Sequence, residues 1–313
     1  MQEWLKIHDA MQHVDIVLFD RFSNHCLANF VEPLRAANGF LRRTAYQWRF
    51  FTLDGTPVSS SSGLQIEPHD ALANAEGTAL MLMPSYGIRD LDQDRIMGAV
   101  RSAARSYAVL GGLDTGSWLL ARAGFLDDHR ATIHWDMLDA FSEAFPDVET
   151  VRQRYVIDAD RITCSGAMAA FDLANSLIAS AHGPLVAMEV AQLFMSRETV
   201  QALPVRASGR MVGRAVALMQ DNIEYPIPIP EIARRVGCTQ KTLEHRMKTA
   251  MATTPATVYR RLRLNAVLRL VQETDLPVSE IAGRCGYENA SAMTRAFRAA
   301  FGQSPQAMRQ DNP

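Results

Sequence analysis

Cysteine is scarce in this chain: 313 residues hold only Cys26, Cys164, Cys238 and Cys285. They form no CxxC pair and follow no metal-ligand spacing, which excludes a disulfide-stapled scaffold and a zinc module. Reduced core thiols in a cytosolic protein are the expectation, with no metal and no cofactor. No apolar run approaches the length that spans a bilayer. Met1–His13 carries Glu3, Lys6 and Asp9 where a signal peptide would be apolar. These absences predict a soluble cytoplasmic protein without membrane contact. A large charge excess is missing too, since the net charge is −2. That balance hides an asymmetry: residues 205–313 hold 16 Lys and Arg against 9 Asp and Glu, whereas residues 1–204 hold 16 against 25. A basic block behind an acidic one suggests a polyanion-binding module joined to one that binds something else.

The length suits two domains, and 48% hydrophobic residues suffice for buried cores. The first two thirds alternate strand-like and helix-like stretches. Strands are expected at Val14–Phe19, Trp48–Leu53, Ala79–Met83, Val109–Leu113, Ala131–Ile133 and Arg161–Cys164. Helices are expected at Asn24–Asn38, Leu91–Ser106, through Trp118 to Ala123, His134–Phe145, Met168–Ser180 and Pro184–Ser196. This rhythm predicts an α/β, mostly parallel sheet with helices on both faces. Gln201–Val205, containing Pro204, reads as a hinge. Everything after Arg210 reads helical. The expected division is a domain at 1–198, a linker at 199–208 and an all-α domain at 209–313.

The all-α part repeats one pattern twice. The first copy is Ile232-Ala233-Arg234-Arg235-Val236-Gly237-Cys238-Thr239, and the second Ile281-Ala282-Gly283-Arg284-Cys285-Gly286-Tyr287. In each, a short helix ends at a Gly that tolerates left-handed backbone, and a second helix with outward basic residues follows. That is the layout of a helix-turn-helix, here at about 229–250 and 278–301. Thr239 suits the N-cap of the first recognition helix, and either Asn289 or Ser291 that of the second. Leu243 and Met247, like Met293 and Phe297, fall on the inward face. Gln240, Lys241, Thr242, His245, Arg246 and Lys248 are the expected DNA contacts of the first helix. Ser291, Ala292, Thr294, Arg295 and Arg298 are those of the second. Between them, Pro255–Gln272 bears Arg260, Arg261, Arg263 and Arg269 along a stripe of Val258, Leu262, Ala266 and Leu270. It reads as a connecting helix with a phosphate-facing edge.

This duplicated pattern, with its closing Phe301-Gly302-Gln303-Ser304-Pro305, resembles the AraC/XylS family of transcription regulators over roughly Met211–Met308. The resemblance implies double-stranded promoter DNA and RNA polymerase as partners and a nucleoid-associated, cytoplasmic location. It also implies a homodimer. The first recognition helix departs from the common family pattern at His245 and Arg246, so base preferences do not carry over.

In the acidic part, Leu110-Gly111-Gly112-Leu113-Asp114-Thr115-Gly116-Ser117-Trp118 takes a strand into a helix within about two residues. Such a bend presents Asp114 at the strand's C-terminal edge, where open α/β sheets bind ligands. Asp114 either caps the following helix or serves as a ligand carboxylate. At a helix N-terminus it is expected to stay charged.

This half resembles the ThiJ/PfpI, class I glutamine-amidotransferase-like superfamily, a flavodoxin-like α/β sandwich. Supporting stretches are Val31–Asn38, Ala131–Trp135, Thr163–Gly166 and Phe171–Ala174. With the C-terminal module, the whole chain resembles GlxA-type AraC regulators. In enzymes of the superfamily the elbow residue is a nucleophilic Cys assisted by His and an acid. Here Asp114 stands at the elbow, and the acidic position falls at Cys26, so the resemblance implies no thiolate catalysis. An amidase or hydrolase using Asp114, and a ligand-independent DNA binder, are the alternatives. The Asp-Thr-Gly elbow further resembles regulators of carnitine, glycine betaine and arginine catabolism, implying a small amine or amino-acid-derived cation as effector and transcriptional activation as output. The expected ligand residues are Asp114, Thr115, Trp118, His134, Trp135, Ser85, Tyr86, Phe22 and Glu32. The aromatic ones would offer cation–π faces.

Overall fold

A computed structural model describes residues 11–194 and 209–310. The chain divides after Phe194 into two compact units. The expected hinge at Gln201–Val205, the linker 199–208 and the end of the Pro184–Ser196 helix lie outside the described residues.

The first unit is built on a seven-stranded sheet of order β10-β11-β7-β6-β1-β2-β5. Its strands are β1 (Gln12–Leu18), β2 (Tyr46–Thr52), β5 (Asp70–Ala71), β6 (Ala79–Met83), β7 (Val109–Leu113), β10 (Tyr155–Asp158) and β11 (Arg161–Cys164). All pairs are parallel except β10 with β11. Side chains alternate along a strand, so each strand feeds two cores. Val14, Ile16 and Leu18 of β1 enter one core with Ala79, Met81 and Met83 of β6. Val17 enters the other, with Leu80 and Leu82. Helices α1 (Asn24–Leu41), α5 (Ala167–His182) and α6 (Pro184–Phe194) cover the first face. The second is covered by α2 (Asp94–Ala104), α3 (Gly116–Arg122) and α4 (Leu138–Ala144).

Several short strands differ from the sequence reading. The stretch expected as a strand at Ala131–Ile133 contributes only β8 (Arg130–Ala131), which pairs with β9 (Glu149–Thr150) in a separate two-stranded sheet. A hairpin of β3 (Val58–Ser59) and β4 (Gln65–Ile66), the edge pairing of β5 and the antiparallel β10 were not expected. All are two to four residues long, too short for periodicity to reveal.

The second unit is helical: α7 (Gly209–Asp221), α8 (Ile229–Arg235), α9 (Gln240–Met251), α10 (Pro255–Glu273), α11 (Val278–Arg284), α12 (Ala290–Phe301) and α13 (Pro305–Gln310). The Thr239 hydroxyl accepts from Thr242 N–H and caps α9. Asn289, not Ser291, caps α12, by accepting from Ala292 N–H at 2.8 Å. Helix α12 therefore begins at Ala290, and Ser291 is left exposed. Helix α10 buries a wider face than the expected stripe, including Tyr259, Leu264, Val267 and Val271, while Ala266 and Leu270 are only half-buried.

Candidate effector site and nucleic-acid interface

The strand-to-helix bend after β7 is sharp because its neighbours press on it. A Cβ on Gly116 would collide with the Leu82 carbonyl oxygen, so only glycine lets α3 start this close to β6. Asp114 takes up the turn with φ of 61°, left-handed backbone that a non-glycine residue adopts only under constraint. The carboxylate does not cap α3. Thr115 occupies the N-cap position and makes no side-chain capping bond. Asp114 Oδ2 instead accepts from Ser85 Oγ at 2.9 Å, and its carbonyl accepts from His134 N–H at 3.0 Å.

Ser85 is the hub of the site. Its hydroxyl accepts from Ser23 N–H at 2.9 Å while donating to Asp114, and its carbonyl accepts from Thr115 Oγ1 at 3.0 Å. Ser23 in turn caps α1. The loops after β1, β6 and β7 thereby meet at the C-terminal edge of the sheet. Sequence reasoning missed Ser23, whose only signal was its position just before α1.

Asp114 is 8% exposed. Burial raises its pKa, and the Ser85 hydrogen bond and nearby His134 pull it back. Desolvation outweighs the effects that favour the anion, so the Asp114 pKa lies above the ordinary aspartate value. Asp15 shows the contrast. It is fully buried, and it holds a bidentate pair with Arg49 at 2.9 and 2.8 Å and accepts from Tyr107. No Lys or Arg pairs with Asp114 among the described residues, and its Oδ1 has no hydrogen-bond partner there. Cys26 and Cys164 lie close enough to feel its charge, and burial pushes both thiols up, Cys164 to about 12. Neither is poised as a nucleophile.

The other expected ligand residues separate into two groups. His134 is half-buried beside the elbow, its ring 5.5 Å from that of Trp135. Trp135 and Tyr86 are 68% and 61% exposed at the rim. Phe22, by contrast, is fully buried in the α1-side core and presents no face to a ligand. Trp118 packs against Phe141 and Phe145 in the opposite core, with its indole N–H toward Asp92. Glu32 lies on α1 paired with Arg35 at 2.7 Å.

In the second unit, Leu243, Met247 and Met251 of α9 and Met293, Phe297 and Phe301 of α12 point inward. Gln240, Lys241, His245 and Lys248 are exposed, as are Arg295 and Arg298, while Thr242, Arg246, Ala292 and Thr294 are half-buried. Gln240 is tied to Glu244 at 2.7 Å, and Thr242 shares its hydroxyl with Thr239. A surface cavity of about 540 Å³ runs along this helix between Lys241, Glu244, His245 and Lys248. Glu244 was not anticipated; its carboxylate is suited to accept from a cytosine amine. Arg263 is corrected from a phosphate ligand to a clamp. Its guanidinium donates to the carbonyls of Cys285 and Gly286 at 2.9 and 2.6 Å and lies 4.2 Å over the Tyr287 ring. Arg260 and Arg269 stay exposed on α10.

A mostly parallel sheet domain followed by two helix-turn-helix units defines a two-domain DNA-binding regulator. The comparisons with known proteins agree. Residues 14–180 match the DJ-1/PfpI family and residues 232–311 a helix-turn-helix domain. The HTH-type transcriptional regulator CdhR of Pseudomonas aeruginosa is 34% identical over 299 residues, covering 92% of this chain and 89% of that protein. The HTH-type transcriptional regulator GlxA of Rhizobium meliloti is 30% identical over 310 residues, 96% of each chain. The crystal structure of an AraC family transcriptional regulator from Pseudomonas putida superposes with a TM-score of 0.50 at 28% identity, over 59% of this chain and all of that one. The chain belongs to the AraC family of transcription regulators whose N-terminal domain is of the DJ-1/PfpI type. No helix among the described residues is long and apolar enough to cross a membrane.

Proposed function

We propose that this regulator activates transcription in response to a small cationic metabolite bound at Asp114. In this reading residues 1–198 sense the effector, 199–208 couple and 209–313 bind promoter DNA as a homodimer that recruits RNA polymerase. The observation that carries it is the contrast between two buried carboxylates. Asp15 is neutralised by Arg49, whereas Asp114 has Ser85 alone on Oδ2 and an open Oδ1. A buried anion without a cation is costly, and an incoming ammonium relieves that cost. Trp135 and Tyr86 at the rim add π-faces suited to an alkylated nitrogen. The effector acts by binding more tightly to the DNA-competent arrangement than to the other.

The test is a thermal-shift screen of the full chain against carnitine, glycine betaine, arginine and related amines, followed by operator binding. A shift by one of them that disappears in Asp114→Ala supports the reading. Stabilisation by anionic metabolites only, or turnover of any ligand to product by the wild type, overturns it.

A further inference from the structure

The second helices of the two helix-turn-helix units, α9 and α12, are built alike but present different chemistry. Their N-caps, Thr239 and Asn289, put the two repeats in register, with Leu243 and Met293 facing inward at matching places. Glu244 of α9 then occupies the position that Thr294 holds in α12. In the two helices together Glu244 is the single acidic residue. It is exposed, on the side of α9 where Lys241, His245 and Lys248 line the surface cavity of about 540 Å³.

A carboxylate is unfavourable on a face that enters a groove between phosphates. Acids of the preceding helices hold cations: Glu231 of α8 pairs with Arg234 and Arg235, and Glu280 of α11 with Arg284. Glu244 holds none among the described residues, although Lys241 and Lys248 lie one turn before and after it. Its side chain has one hydrogen bond there, from Gln240 Nε2 to Oε1 at 2.7 Å. That bond orients the carboxylate and leaves Oε2 as an acceptor without a partner. In the major groove cytosine presents only its N4 amine, a donor. Adenine sets the N7 acceptor beside its N6 amine, guanine presents two acceptors, and thymine presents O4 and a methyl group. A carboxylate accepts at both oxygens, so cytosine alone meets it without an opposing lone pair or an apolar group.

We infer that Glu244 fixes a C·G pair in the half-site read by α9, the cytosine N4 amine donating to its carboxylate, and that Gln240 positions it. The selection works by exclusion as much as by attraction. Repulsion from phosphates weakens binding to every sequence, and a cytosine at the one right place restores it. Lys241 and Lys248 supply the positive charge that lets the acid approach the duplex. Helix α12 makes no such demand, because the Thr294 hydroxyl both donates and accepts. The two half-sites therefore differ in base composition at equivalent positions. The inference concerns the DNA-binding unit alone and stands whether or not Asp114 binds a cation.

The experiment selects full-length wild type and variants against a library of duplexes with a random central segment, then measures binding to the best duplex with each base pair in turn. Wild type is expected to enrich sites with a fixed C·G pair whose replacement weakens binding about ten- to hundredfold. Glu244→Gln should move the preference at that position to A·T, because an amide matches the N6 and N7 groups of adenine. Glu244→Ala should make the position indifferent and raise affinity for unrelated duplexes severalfold, since a negative charge is gone. Gln240→Ala should lower the preference for C·G without changing its identity. Thr294→Ala is the control and should leave that position untouched. A Glu244→Ala selection that keeps every base preference of wild type overturns the inference, and so does a wild-type selection without a fixed C·G pair. Equal loss of binding to all sequences in Glu244→Gln overturns it too, because that pattern belongs to a residue that holds the helix rather than reads a base.

Discussion

The Ser85 hydroxyl donates to Asp114 Oδ2 at 2.9 Å, and this bond orients a carboxylate that pairs with no Lys or Arg among the described residues. It couples the loop after β6 to the elbow after β7, so a change at one is felt at the other. Ser85→Ala removes a hydrogen bond to a charged, buried group, worth roughly 1–3 kcal/mol. Effector affinity should fall by tenfold or more at neutral pH, measured by calorimetric titration. The Asp114 titration midpoint, followed by carboxyl NMR, should move further up.

Asp114 also sets a pH dependence. Burial raises its folded-state pKa above the unfolded value, against the opposing effects of Ser85 and His134. The protonated carboxyl therefore contributes stability that is fully present below the ordinary Asp range and is lost as pH rises through the folded value. Effector binding has the opposite slope, because a cation favours the ionised form. Affinity should rise with pH across the same window, and the slope should vanish in Asp114→Asn. A flat wild-type profile would exclude Asp114 as the cation's partner.

The two turn glycines of the DNA-binding unit are not equivalent. Both have positive φ, 81° at Gly237 and 71° at Gly286. A Cβ at Gly237 meets nothing, whereas one at Gly286 would lie 2.5 Å from the Ile223 carbonyl oxygen and from Pro226 Cγ. Gly237→Ala should cost about 1 kcal/mol from backbone conformation alone. Gly286→Ala should cost several times more, because the segment joining α7 to α8 must move. Chemical denaturation of the full chain measures the difference.

Removing the Arg263 side chain should act on structure before it acts on DNA. Arg263→Ala deprives the Cys285 and Gly286 carbonyls of their donor and uncovers Tyr287. A loss of about 2–4 kcal/mol is expected. If Arg263 were a phosphate contact instead, stability would hold and only the salt dependence of DNA binding would fall.

The exposed recognition residues should separate by half-site. His245→Ala should weaken binding through bases under α9, and Arg298→Ala through those under α12, each by about 1–3 kcal/mol where a base edge is read. A residue that touches phosphate would instead weaken all sequences alike and lower the salt slope by about 1. Competition binding against operators altered in one half-site distinguishes these outcomes.

The layout of the molecule was legible in the sequence for a local reason. Strands such as Ala79–Met83 and Val109–Leu113 are apolar runs bounded by Pro84 and by the Asp114-Thr115-Gly116 bend, and the repeated Ile-Ala…Gly pattern states its own geometry. Asp114 stood out because a strand turns into a helix around it. The ligand residues were less legible. Trp118 and Phe22 lie next to elbow and loop in sequence, yet their side chains belong to cores on opposite faces of the sheet. Ser23 gave little signal, since its hydrogen bond with Ser85 joins two loops 62 residues apart in the chain.

What the chain by itself determined was the order of elements, the DNA-reading module and the Asp at the bend, because each depends on neighbours within a few residues. Only the tertiary structure decided that Asp114 is a buried carboxylate, hydrogen-bonded by Ser85 and paired with no Lys or Arg among the described residues. Burial, pairing and charge are set by residues from separate segments, those of Ser23, Ser85, Asp114 and His134, and their meeting at one sheet edge follows from strand order, which no local pattern encodes.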